Sequence, residues 1–230
     1  MGDRKADQRE RLLMAQTTEV STILWDMDGT LVDSVPLIVE SFRYTVREHT
    51  GLTLPDEVFV AGIGMPLSEQ LKTFSRDTAE CDSMREMYSR YYVKNALRVE
   101  PFGGVESLLS RLKTKGFRQG IVTSKSRAGL DRVLKQFSWE GLFDVTVGAD
   151  EVTRGKPNPE PVLLALDQLG VTASGAWMIG DSPHDLEAGR AAGTRIGAVS
   201  WGPFDHALLH QQKPDAFFES LDSIESLFIG

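Results

Sequence analysis

Two carboxylates two residues apart, Asp26 and Asp28 in Asp26-Met27-Asp28-Gly29-Thr30, can divide the labour of group transfer. One attacks an electrophile while the other moves protons to and from the reacting oxygens. Three further polar clusters could complement them: Thr123-Ser124-Lys125, Gly155-Lys156-Pro157-Asn158-Pro159 and Gly180-Asp181-Ser182-Pro183-His184-Asp185. Hydroxyls, backbone N–H groups and an ammonium suit a phosphate, because phosphoryl transfer is chiefly a matter of positioning and charge stabilisation. Asp181 and Asp185 add the oxygen donors that a hard cation prefers. Each cluster also has a plainer reading. Asp-x-Asp-Gly is a common solvated turn, lysines mostly lie on surfaces, and Asp181 and Asp185 suit the capping of a helix. Two prolines stiffen the loop around Lys156 and favour a fixed role for it.

The elements around these clusters give them a common edge. Ile23-Leu24-Trp25 is a short apolar run ending in Asp26, as expected of a buried parallel strand that feeds a loop. Further short apolar runs occur at 120–123, 145–147, 176–179 and 196–199, each after a helical stripe such as Val105, Leu108, Leu109 and Leu112. Alternating strands and helices predict an α/β fold with a doubly wound, Rossmann-like parallel sheet. Ligands of such sheets bind beyond the carboxyl ends of the strands, where the polar clusters fall. Between 35 and 97 every signal is helical, with Val39, Phe42 and Val46 on one stripe and Met84, Tyr88 and Tyr91 on another. That block predicts an inserted α-helical cap domain over 35–97, with the core domain formed by 20–34 and 98–230 and hinges at the two crossings.

Together the four clusters resemble the haloacid dehalogenase-like hydrolase superfamily, in its phosphatase branch with a small helical cap. Val199-Ser200-Trp201-Gly202 adds a likeness to its phosphoglycolate phosphatase and pyrophosphatase group. The resemblance implies that Asp26 is a nucleophile forming an aspartyl-phosphate and that Asp28 is the general acid and base. It implies a phosphate cradle of Thr123, Ser124, Lys156 and the N–H groups of Met27 and Asp28. It also implies Mg²⁺ held by Asp26, the backbone carbonyl of Asp28 and Asp181, with Asp185 ligating directly or orienting a metal-bound water. The expected activity is Mg²⁺-dependent hydrolysis of a small phosphate monoester. A sugar-phosphate mutase with the same aspartate pair is the nearest rival, and a non-catalytic binding or regulatory relative is a rival of another class.

Substrate choice should be written in the cap. Gly62-Ile63-Gly64-Met65-Pro66 is a turn whose Gly62 and Gly64 allow backbone to approach a ligand, although a plain interhelical turn accounts for it as well. Arg127, four residues after Thr123, could reach a second anionic group on the substrate. His184 and the tyrosines have simpler roles as polar surface and packing.

Bulk composition narrows the partners. A net charge of -8 provides no global positive field for a polyanion, which argues against nucleic acid and for a small phosphorylated metabolite. Cys81 is the only cysteine, so no intramolecular disulfide forms and a reducing, cytoplasmic setting is expected. No apolar run approaches the length of a membrane span. Residues 1–19 are polar, lack the apolar stretch of a secretory signal, and read as a flexible tail. The assembly is expected to be a monomer or a homodimer.

Overall fold

A computed structural model of the chain describes residues 21–230, so the expected tail lies outside the described residues. The chain enters through β1 (Thr22–Trp25) and a two-residue β2 (Val32–Asp33), then runs through four helices: α1 (Val35–Thr50), α2 (Asp56–Val60), α3 (Leu67–Lys72) and α4 (Thr78–Asn95). It returns by β3 (Glu100–Pro101) to α5 (Val105–Thr114), β4 (Arg118–Val122), α6 (Arg127–Gln136), β5 (Val145–Val147) and α7 (Glu160–Leu169). The last third comprises β6 (Ala176–Gly180), α8 (Pro183–Ala192), β7 (Arg195–Val199), α9 (His206–Gln211), β8 (Ala216–Phe218) and α10 (Leu221–Phe228).

Six strands form one parallel sheet in the order β5-β4-β1-β6-β7-β8. β1 lies at its centre, with Trp25 opposite Ile121 on one side and Ile179 on the other. All four of its residues are buried, which explains an uninterrupted apolar sequence where a half-exposed strand would alternate. The chain first builds outward on one side of β1, through β4 and β5, and then starts again on the other side at β6. Asp26 therefore stands at the point where the winding reverses.

The five strands read from the sequence are all present. β8, α9 and α10 were not anticipated, and neither was the antiparallel ribbon of β2 and β3, which pairs Val32 with Pro101 and Asp33 with Glu100. That ribbon ties the two crossings into the helical block side by side. Above it α1 packs along α4, with Phe42 4.8 Å from Tyr88 and Tyr44 stacked at 4.3 Å on Tyr91. The apolar interior of the helical block is continuous with one face of the sheet, since Ile23, Trp25, Phe42, Leu71 and Met84 belong to one buried cluster. No helix among the described residues is long and apolar enough to cross a membrane.

Gly120 shows how tightly β1, β4 and β5 approach. A Cβ there would lie 2.5 Å from Val145 Cγ1 and 2.7 Å from Leu24 Cδ2. Gly120→Val should therefore cost about 1–3 kcal/mol, the range typical of overpacking a dense core. A urea midpoint indistinguishable from wild type would contradict this packing.

Candidate active site

Asp26 leaves the central strand with its N–H bonded to the Ile179 carbonyl at 2.8 Å, which fixes its backbone against β6. Its Oδ1 is 2.5 Å from the Lys156 ammonium. Lys156 comes from the loop between β5 and α7, and its peptide to Pro157 is cis. The same ammonium lies 2.5 Å from Asp185 Oδ1 and 3.1 Å from the Val122 carbonyl, so its donors are spent on three buried acceptors. Burial alone would lower the Lys156 ammonium, but Asp185 and Asp26 outweigh it and hold the group above the ordinary lysine range. Asp26 moves the other way. Burial pushes its carboxyl up to about 7, Asp185 and Asp28 add to the rise, and Lys156 only partly offsets it.

Asp181, at the end of β6, completes a group of three buried carboxylates. Asp26, Asp181 and Asp185 each offer an oxygen within 4.8 Å of the others. Thr30 Oγ1 donates to Asp181 Oδ1 at 2.6 Å, while Asp181 Oδ2 is buried and has no hydrogen-bond partner among the described residues. Burial and the neighbouring Asp26 and Asp185 push the Asp181 carboxyl well above the usual range. Three buried carboxylates against one ammonium, with one oxygen orphaned, leave an excess of negative charge that protein groups do not match. That donor set fits a hard divalent cation. Asp26 and Asp181 are the residues with oxygens to spare for it. Asp185 is already committed, because its Oδ1 takes Lys156 and its Oδ2 accepts from the Ser182 N–H at 3.0 Å and hydroxyl at 2.6 Å. The Ser182–Asp185 exchange is the capping box of α8, so the capping reading of Asp185 holds together with its place in the site.

Gly29 explains the turn after the aspartates. Its φ is +84°, and a Cβ there would meet Asp181 Oδ2 at 2.4 Å, so a side chain is excluded by both conformation and space. The N–H groups of Met27, Asp28 and Ser124 find no acceptor among the described residues. They are left available to an anion. Thr123 is buried beside them, its Oγ1 accepting from the Lys125 N–H at 3.2 Å.

Asp28 lines the cavity above Asp26. Sequence reasoning assigned no role to its two partners. Lys125 Nζ lies 2.5 Å from Asp28 Oδ1, and the Ser34 hydroxyl donates to the same oxygen. The only available signal for Lys125 was its place two residues beyond Thr123 at a strand end. Thr30 and Ser182 were likewise inside quoted motifs without being singled out.

The helical block closes a cavity of about 590 Å³ over this floor. Gly64 seats the block on the site: its carbonyl accepts from Ser124 Oγ at 2.5 Å, and with φ +95° a Cβ there would come within 2.7 Å of Ser182 Oγ. Gly62 differs from the expectation. It does not line the cavity, and its missing side chain makes room for Gln70, whose amide donates to the Phe59 carbonyl at 2.6 Å. Arg127 is a second correction. Its guanidinium donates to Thr146 Oγ1 at 2.8 Å, to the Thr146 carbonyl and to Glu151, so it braces β5 and is absent from the cavity wall. Arg132, further along α6, lines the cavity instead, as does Arg85 of α4.

The profile of the family described as haloacid dehalogenase-like hydrolase matches residues 23–199. A protein of Caldanaerobacter subterraneus subsp. tengcongensis named "Putative pyrophosphatase PpaX" is 39% identical over 92% of this chain and 96% of its own length. Pyrophosphatase PpaX of Bacillus velezensis is 38% identical over 89% of this chain and 94% of its own. Among solved structures, a "putative phosphoglycolate phosphatase" from Lactobacillus plantarum superimposes with a TM-score of 0.82 at 27% identity, covering 91% of this chain and all of that one.

The charge imbalance makes cation binding measurable without turnover. At a hundredfold excess over its Kd, Mg²⁺ should stabilise the fold by about 2.7 kcal/mol, seen as a rise in Tm. Asp181→Asn should lose most of that rise; equal rises in wild type and variant would count against the site.

Proposed function

The chain belongs to the haloacid dehalogenase-like hydrolase family, and on that premise we propose that it is a Mg²⁺-dependent phosphatase. Its substrate would be a small phosphorylated metabolite, a phosphate monoester or pyrophosphate, whose leaving group carries an anion of its own. The observation that carries this reading is Asp26. It is a buried carboxylate at the centre of the sheet's carboxyl edge, held at one oxygen by Lys156 and placed beside the partly orphaned Asp181.

In the first half of the reaction an Asp26 oxygen attacks phosphorus, the Asp26–phosphorus bond forms, and the bond to the leaving oxygen breaks while Asp28 gives that oxygen a proton. In the second half, water attacks the aspartyl-phosphate, Asp28 takes the water's proton, and Asp26 departs as a free carboxylate with inorganic phosphate as product. The free N–H groups of Met27, Asp28 and Ser124 hold the phosphoryl oxygens throughout, while Lys156 keeps Asp26 in place and offsets its charge. When bound, the cation supplies the positive charge that lets a phosphate dianion approach these carboxylates.

Arg85 and Arg132 support an anionic leaving group. Both line the cavity that holds Asp26, and Arg85 makes only an exposed pair with Asp82 at 3.2 Å. The similarity to proteins named pyrophosphatase and phosphoglycolate phosphatase agrees, since both substrates carry a second anion. A mutase built on the same aspartates would instead deliver the phosphoryl group to a sugar hydroxyl.

Asp26→Asn should abolish release of inorganic phosphate from a panel of phosphoglycolate, pyrophosphate, hexose phosphates and p-nitrophenyl phosphate. EDTA should abolish it in the wild type, and added Mg²⁺ should restore it. Undiminished turnover by Asp26→Asn, or an interconversion of hexose phosphates without phosphate release, would refute the reading.

A further inference from the structure

We propose that Lys125 is a positioning residue for Asp28, and that Tyr92 makes this positioning conditional on the closed cap; the proposal rests on the phosphoryl-transfer reading above. Lys125 is carried on the loop after β4, and its ammonium lies 2.5 Å from Asp28 Oδ1. The Ser34 hydroxyl, at the first crossing, donates to that same oxygen. Asp28 Oδ2 accepts no hydrogen bond among the described residues, and Asp28 lines the cavity. The carboxylate is thus pinned at one oxygen by two donors arriving from separate segments. Its other oxygen remains available for the proton that passes to the leaving group and later comes from water. Lys125 keeps its own proton in both halves; its part is orientation.

The other side of the ammonium is covered by the cap. Lys125 Nζ lies 4.8 Å from the centroid of the Tyr92 ring, at the distance of a cation–π contact. Tyr92 belongs to α4, is buried, and lines the same cavity. A desolvated ammonium is held by few groups, and here one is the Asp28 carboxylate and the other an aromatic face on α4 of the helical block. With the cap open, Lys125 exchanges the ring for water, and one arm of the Asp28 tether loosens. With the cap closed, the tether tightens while bulk water is shut out, which couples acid–base competence to closure.

The test measures kcat/KM for a series of aryl and alkyl phosphates of rising leaving-group pKa, because a correctly placed acid matters most where the leaving oxygen is most basic. Lys125→Met should steepen the dependence, losing on the order of 100-fold on an alkyl phosphate and less than about tenfold on p-nitrophenyl phosphate. Lys125→Arg should recover part of the alkyl-phosphate loss. Tyr92→Leu should steepen the slope and Tyr92→Phe should preserve it, since the ring face is what counts. Should Lys125→Met fail to fold, Ser34→Ala removes the second donor to the same oxygen and should steepen the slope in its place. Slopes parallel to a working wild type would sink the Lys125 assignment alone, and an unchanged Tyr92→Leu slope would sink its dependence on the cap. A wild type inactive on the whole series would overturn the phosphatase reading together with this one.

Discussion

The rest of the site depends on one buried ammonium shared between two carboxylates. Lys156 sits between Asp26 and Asp185, 2.5 Å from an oxygen of each. Moving ions of this kind out of water costs several kcal/mol each, and their mutual attraction returns that cost only when geometry and hydrogen bonds are both good. The fold meets this condition by bringing three rigid pieces to one point. The central strand delivers Asp26, a loop with two prolines delivers Lys156, and the capping box of α8 delivers Asp185 already turned toward the ammonium. Asp181 is the carboxylate left over. A charge arrangement complete in itself would make a stable but inert core, whereas this one is short of positive charge beside Asp26. That deficit fits a divalent cation, and on the proposed function a substrate phosphate would enter with it.

The helical block stands in a different relation to the site. Its interior is continuous with the sheet's own apolar cluster, yet its polar contacts fall on the loop that follows β4: Ser124 donates to Gly64, and Lys125 faces Tyr92. The β2–β3 ribbon pairs the two crossings side by side at the base of the block. Apolar packing is non-directional and tolerates small displacements. Hydrogen bonds and ion pairs do not tolerate them, so a slight opening releases the polar contacts first.

Much of this was legible in the sequence because short-range rules decide it. Buried parallel strands read as apolar runs, and the winding order then sends Asp26, Thr123, Lys156 and Asp181 to one edge. What was not legible depends on direction around an element. Arg127 and Arg132 share α6, and five residues at about 100° each place them roughly 140° apart, so one braces β5 while the other reaches the cavity. Spacing from Thr123 favoured the wrong arginine because nearness in sequence does not fix a helix face. Gly62 and Gly64 are a similar pair: the one accommodates Gln70 inside the cap and the other meets Ser182 across the cavity. Lys125 was hidden for another reason, since its partner lies 97 residues away and only the parallel pairing of β1 with β4 brings them together. β8 is as short as β5, but only one of its three residues, Phe218, is buried, against two in β5.

The charge pattern of the cavity bears on an apparent conflict between a chain of net charge -8 and the anionic substrate proposed for it. The floor is acidic, with Asp26, Asp28 and Asp181, while Lys125, Arg85 and Arg132 also line the wall. Exposed charges farther apart than about 8–10 Å are largely screened at physiological ionic strength, so an incoming anion responds to this wall rather than to the protein as a whole. Inside the closed cavity screening falls away and the acidic floor becomes repulsive. On the proposed function, a phosphate would settle there only together with a cation. On that reading the excess of carboxylates at the floor would select for phosphate, and the wall would select among phosphates.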